Sequence, residues 1–178
     1  MERIIEQYSE RGFQFAYHLC GNAEEAKELG QEAFVRLISR WQTYDETQPV
    51  ENWFLTILRN VYFDSVRRYE RRHGVSLDAV LADPDGESFA DRIADKNEEP
   101  LLRRLERQET ADAVRRALAA LTPEHRAILT LCDMQGLSYE KLTSVMDCPL
   151  GTVRSRLNRA RAAFKKALLA QDQEVSKP

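Results

Sequence analysis

Residues 151–166 read GTVRSRLNRARAAFKK and carry six cations, Arg154, Arg156, Arg159, Arg161, Lys165 and Lys166, with no acidic residue. Arginine and asparagine form bidentate hydrogen bonds with guanine and adenine edges. On a helix turning ~100° per residue, Leu150, Val153, Leu157, Ala160, Phe164 and Leu168 make one apolar stripe. Ser155, Asn158 and Ala162 lie opposite it. Arg154 and Lys165 flank that outer face on one side, Arg159 and Lys166 on the other, while Arg156 sits nearer the stripe. Gly151 and Thr152 open the helix, where backbone N–H groups and the helix dipole suit a phosphate. Solvated helix faces usually mix charge signs, so a face of one sign favours a nucleic acid.

A second constellation lies in residues 50–72, VENWFLTILRNVYFDSVRRYERR. Aromatic residues (Trp53, Phe54, Tyr62, Phe63, Tyr69) alternate with Arg59, Arg67, Arg68, Arg71 and Arg72. Stacking surfaces interleaved with cations are what single-stranded DNA requires. A plainer reading stays open: Trp53, Phe54, Ile57, Leu58, Val61 and Val66 fit a core, and the terminal arginines fit the negative end of a helix dipole. Upstream, Glu24, Glu25, Glu28, Gln31 and Glu32 form an acidic face. It repels DNA and serves either as solvated surface or as a docking face for a protein partner.

Other chemistries find little support. Cys20, Cys132 and Cys148 are far apart, with no CxxC or Cys/His cluster, so reduced thiols are expected and no metal or cofactor site. His18 and Cys20 point in different directions on a helix. Neither an HExxH segment nor a nucleophile motif occurs, which argues against a hydrolase. No apolar run reaches the ~20 residues of a membrane span, and the start MERIIEQYSERG lacks the features of a signal peptide. A cytoplasmic protein without membrane insertion is expected.

These residues must be positioned by helices. Glycine and proline number only 7 and 6 among 178 residues, and helical periodicity dominates between them, so the fold class is all-α. A first helix over about 2–19 ends at Gly21. Asn22 caps a second that runs to about Trp41, with Glu25 placed for a capping box. A polar loop closes at Pro49 before a third helix over 50–72. Residues 73–100 are acidic and broken by Gly74, Pro84, Gly86 and Pro100, which reads as a mobile linker with a short turn near Phe89 and Ile93. Helix returns from about 101. Thr122 and Pro123 start another helix, Gly136 ends it, and Ser138 caps the next, with Leu137 and Leu142 as a hydrophobic staple. A turn near Asp147–Pro149 then leads into the basic helix, over about 149–170. Short helix, tight turn and longer basic helix are the layout of a helix-turn-helix. Charge is distributed accordingly: −2 over residues 1–72, −5 over 73–110 and +4 over 111–178, for a total of −3.

Two stretches resemble a known family. GNAEEAKELGQEAFVRLISRW with ENWFLTILRNVYFDSVRR is similar to sigma region 2. LAALTPEHRAILTLCDMQGLSYEKLTSVMDCPLGTVRSRLNRARAAFKKAL is similar to sigma region 4. Together they resemble the extracytoplasmic-function (ECF) sigma factors of the sigma-70 family. The resemblance implies two small helical domains, region 2 over 1–72 and region 4 over 105–170, joined by a flexible acidic linker over 73–104. It implies a non-enzymatic subunit that binds core RNA polymerase and directs it to promoters. Region 4 would read the double-stranded −35 element through Gly151, Thr152, Arg154, Ser155, Asn158 and Arg159. Region 2 would capture the melted −10 strand through Tyr44, Trp53, Arg59, Asn60, Asp64, Arg67 and Arg68. The LGQEAF motif would dock on the clamp helices of the polymerase's largest subunit through Leu29, Gln31, Glu32, Phe34, Val35 and Leu37. Control by an anti-sigma factor is a further implication.

Several residues depart from the family's pattern. Gly30 stands where a large apolar residue is frequent, Val50 and Glu51 replace an aromatic and a basic residue, and Asp147 replaces a glycine. The competing reading is a stand-alone helix-turn-helix regulator with an N-terminal dimerisation domain.

Overall fold

The computed structural model describes residues 2–73 and 101–175, and side chains within 3–73 and 107–171. The expected linker, including the turn near Phe89 and Ile93, lies outside the described residues except at its ends. Helix α1 spans Glu2–Cys20, α2 Ala23–Ser39 and α3 Val50–His73. Helices α4 (Leu101–Ala119), α5 (Pro123–Leu129), α6 (Tyr139–Met146) and α7 (Leu150–Val175) follow. The described residues contain no strand. Helix α4 starts four residues before the expected start of the second domain, and α2 ends at Ser39 instead of Trp41, where a 3-10 turn over Trp41–Thr43 takes over.

Local chemistry sets most boundaries. Gly21 takes φ +75°, and its N–H donates to Tyr17 O at 2.7 Å, closing α1. Asn22 Oδ1 accepts from the N–H groups of Glu24 (2.8 Å) and Glu25 (3.1 Å), which would otherwise lack partners at the start of α2. Thr122 and Ser138 do the same for His125 and Lys141. Leu137 and Leu142 are both buried, as a staple requires. Between α5 and Gly136 the helix widens into a π turn over Thr130–Met134.

Helices α1, α2 and α3 pack on one another, and α4 through α7 form a second group. The two groups also pack together: α1 meets α4 and α5, and α3 meets α5 and α6. One apolar core runs through both, from Phe15, Leu19, Phe54 and Leu58 to Leu118, Ile128, Leu142 and Leu157. Arg126 sits in the middle of this core, 1% exposed. Its guanidinium donates to Leu118 O (2.8 Å), Ala119 O (2.8 Å) and Leu121 O (2.9 Å) at the end of α4. It also donates to Leu19 O at the end of α1 (2.7 Å) and to the Tyr62 hydroxyl of α3 (3.2 Å). Helix C-termini present unpaired carbonyls and a partial negative charge. One cation clamped between two such termini is thereby stabilised by carbonyl dipoles, with the Glu25 charge close enough to act on it. At the periphery Arg11 donates to Gln135 O (2.5 Å) and Oε1 (3.1 Å). Glu51 is ion-paired with Arg11 and lies 4.0 Å from Lys141 Nζ. Glu51, which replaces the basic residue of the family's pattern, thus joins the two helix groups.

Candidate nucleic-acid interface

The helix-turn-helix is built from α6 and α7. Asp147 adopts the left-handed region (φ 50°), and the next N–H, of Cys148, returns to Thr143 O at 3.1 Å. Aspartate is one of the few non-glycine residues that visit this region. The turn buries Leu142, Val145 and Met146 of α6 against Val153, Leu157 and Ala160 of α7, of which the last three are 0% exposed. Arg154, Ser155, Asn158, Arg159 and Ala162 are therefore exposed on the opposite face, with Lys165 and Lys166. Their bonds are local: Ser155 Oγ donates to Thr152 O (3.1 Å), and Arg159 Nε to Ser155 O (3.3 Å). Such bonds orient the arginine yet exchange readily for an external acceptor.

One expectation here is corrected. The Thr152 N–H donates to Pro149 O at 2.8 Å, because proline at the start of α7 supplies a carbonyl within one turn. It does not point outward toward a phosphate; Gly151 is exposed at the same end. Among the six cations, Arg161 faces back: it grips Asp133 of the π turn through Nε–Oδ2 (2.9 Å) and Nη2–Oδ1 (2.5 Å). That pairing holds the Asp133 carboxyl below its ordinary range and raises the Arg161 pKa.

In the N-terminal group, Trp41, Tyr44 and Trp53 form a half-buried aromatic cluster, with ring centroids 4.9 Å apart for Tyr44–Trp53 and 5.2 Å for Trp41–Tyr44. The Tyr44 hydroxyl donates to Gln48 O at 2.5 Å and pins the loop before α3. Trp41 was not among the expected residues; its signal was an aromatic three positions before Tyr44. Arg67 and Arg68 are exposed at the far end of α3, and Asp64 is half-buried. Asn60 Oδ1 accepts two bonds from Arg59, at 2.6 and 3.1 Å. Arg59 itself is 8% exposed and donates to Val145 O of α6. Burial lowers its pKa. In this arrangement Arg59 faces the helix-turn-helix instead of solvent, because α6 packs across its part of α3.

The acidic helix α2 divides by face. Leu29 (4% exposed) and Leu37 (0%) belong to the core, because they share the stripe of Ala26 and Ala33. Their expected place on a docking surface is corrected: they support it from behind. Gln31 and Val35 are exposed, Val35 at 65%, and Ile38 beside them at 45%. Phe34 is half-buried, stacked on Phe54 with centroids 4.6 Å apart. Glu32 is bonded to Arg36. Among the described residues there is no group of three or more His, Cys, Asp or Glu able to hold a metal, and no helix long and apolar enough to cross a membrane.

Comparison with known proteins fits this layout of an exposed basic helix and an aromatic–arginine helix. Residues 4–72 match the family described as Sigma-70 region 2, and residues 111–164 match Sigma-70, region 4. The ECF RNA polymerase sigma factor SigE of Mycolicibacterium smegmatis is 33% identical over 98% of this chain, which spans 64% of that relative's length. The RNA polymerase sigma-H factor of Pseudomonas aeruginosa is 31% identical over 93% of this chain and 84% of its own. Among solved structures, the sigma factor RpoE of Bartonella quintana, in complex with the anti-sigma factor NepR, superposes with a TM-score of 0.69. It is 22% identical and covers 94% of this chain and 95% of its own, a likeness of fold. With both region matches and these relatives in agreement, the chain belongs to the ECF sigma factors of the sigma-70 family.

Proposed function

We propose that this chain binds core RNA polymerase and brings it to promoters through two separate DNA sites. The observation that carries the reading is the outer face of α7. Arg154, Ser155, Asn158 and Arg159 are exposed together on a helix whose other side is locked in the core. That face supplies base contacts for the duplex −35 element, with Gly151 at its end for a phosphate. The −10 strand falls to the other helix group. Tyr44 and Trp53 offer ring faces, Asn60 and Asp64 polar edges, and Arg67 and Arg68 phosphate contacts. Gln31, Glu32, Phe34 and Val35 of α2, with Ile38, form the polymerase-docking patch. An exposed valine and isoleucine beside a carboxylate suit a partner surface better than water does. The protein acts in the cytoplasm, where polymerase and promoter are.

The division into 1–72, 73–104 and 105–170 follows from this reading. A compact chain of this length has a radius of gyration of about 16 Å. Elements at −35 and −10 are separated by about 85 Å of duplex at ~3.4 Å per base pair. The packed arrangement cannot reach both, so promoter binding separates the two helix groups and turns Arg59 outward to the strand. Residues 73–104 supply the span, and the large partner raises the effective concentration of each weak site for the other. Regulation by an anti-sigma factor is supported by the likeness in fold to a sigma factor solved with such a partner.

Promoter binding with and without core polymerase tests the proposal. Duplex fragments from a genomic pool should be retained by the chain plus core polymerase far better than by either alone. Tight binding by the chain alone, unaffected by polymerase, would mark a stand-alone regulator.

A further inference from the structure

Five charged side chains join α2 to the end of α3. Arg36 lies between two carboxylates, with Nη1 2.8 Å from Asp64 Oδ2 and Nη2 2.5 Å from Glu32 Oε1. Arg67 and Arg68 approach the remaining oxygens of the same carboxylates: Arg67 Nη1 is 3.6 Å from Asp64 Oδ1, and Arg68 Nη2 is 3.6 Å from Glu32 Oε2. The first pair of distances are hydrogen bonds; the second pair are beyond hydrogen-bond range. Arg36 is the most enclosed of the three cations, its side chain 28% exposed against 67% for Arg67 and 51% for Arg68. The cluster holds three guanidinium groups and two carboxylates, so it carries one net positive charge.

We propose that Arg36 is a positioning residue that keeps Arg67 and Arg68 available for DNA phosphates by occupying the two carboxylates that would otherwise capture them. The inference rests on the two-site reading above, in which Arg67 and Arg68 meet the −10 strand. With Arg36 in place, its charge satisfies Asp64 and Glu32 and repels the two outer arginines, which stay loosely tethered. Without it, two carboxylates and two guanidinium groups remain. They close into neutral pairs of the kind arginine forms readily with carboxylates, and the end of α3 loses its positive field although neither DNA-facing residue has changed.

The test is the salt dependence of binding to short random-sequence single-stranded DNA by core polymerase carrying the full chain, with core polymerase alone as background. Each phosphate neutralised on a single strand contributes about 0.7 to the slope of log affinity against log salt. Arg36→Met should reduce the slope by about 0.7 to 1.4, as one or both outer arginines turn from phosphate to carboxylate. Arg36→Lys should recover only part of it, because one ammonium cannot bridge two carboxylates. Adding Glu32→Gln to Arg36→Met should return about 0.7 of the slope by releasing Arg68; polymerase affinity is measured in parallel, since Glu32 lies in the docking patch. A merely structural Arg36 would alter stability and leave the slope alone. An unchanged or steeper slope for Arg36→Met overturns the inference while leaving the two-site reading intact. No salt-dependent binding above background by the unmodified chain overturns both.

Discussion

Arg126 makes the most demanding prediction, because its side chain sits at the junction of two helix C-termini. Replacing it with methionine keeps most of the stem volume and deletes five hydrogen bonds of 2.7 to 3.2 Å. A hydrogen bond to a charged group is worth roughly 1.5–3 kcal/mol net, but the substitution also removes the cost of burying a charge. What remains is the cost of four carbonyls at the ends of α4 and α1 losing this partner, of which Leu118 O keeps the Leu121 N–H. A net loss of about 3–5 kcal/mol is expected. With a urea slope of about 2 kcal/mol per M, the midpoint should fall by about 1.5–2.5 M. Tyr62→Phe deletes the bond from Arg126 to the Tyr62 hydroxyl while keeping the ring, and should cost about 1 kcal/mol. The double variant should then lose less than the sum of the two, a coupling of about 1 kcal/mol that reports contact between the helix groups in solution. A midpoint for Arg126→Met that is unchanged or higher would refute the clamp and show the buried charge to be a burden. Strict additivity with Tyr62→Phe would refute the contact between the groups.

Single substitutions elsewhere have outcomes of their own. Gly12→Ala should destabilise by about 1–3 kcal/mol, read from the urea midpoint, because a Cβ there would lie 2.7 Å from the ring of the fully buried Phe54. Gly30→Ala, where an added Cβ meets nothing within 4 Å, should instead stabilise by about 0.5–1 kcal/mol through helix propensity. Asn158→Ala should cost about 1–3 kcal/mol at one base pair of the −35 element, and Arg159→Ala should flatten the salt slope or relax one position, according to whether it meets phosphate or base. Burial lowers the pKa of His18, whose Nδ1 lies 2.6 Å from Gln14 O. The unfolded chain therefore binds the proton more readily, and stability present above pH 6.5 is lost as pH falls through the folded value. His18→Gln should remove that part of the pH dependence in midpoints measured between neutral and mildly acidic buffer.

The helix ends were legible in the sequence because caps are local. Asn22, Thr122 and Ser138 each need only the two or three residues that follow them. The faces of α7 were legible because a period of 3.6 separates Val153, Leu157 and Ala160 from Ser155 and Asn158 without help from the rest of the chain. The misplacement of Leu29 and Leu37 has the opposite cause. A motif reports that a stretch is used, while periodicity reports which side of it is used; both leucines share the stripe of Ala26 and Ala33. From the sequence, Arg59 and Arg161 point to nucleic acid, and Arg126 and Arg36 carry no assigned role. Their partners lie 86, 28, 107 and 28 positions away in sequence, so only the tertiary fold brings donor and acceptor together. The π turn that presents Asp133 to Arg161 has no composition signal comparable to a cap.

Run-off transcription on a pool of genomic promoters, with core polymerase and this chain as the sole sigma factor, decides whether the chain directs initiation through two promoter elements. Transcripts should start at a discrete set of positions that share two upstream sequence elements, and Arg154→Ala with Asn158→Ala should abolish or redirect starts according to the upstream element alone. Discrete initiation that ignores changes on the outer face of α7, or no initiation above core polymerase on any promoter, would rule out two-site promoter recognition by this chain.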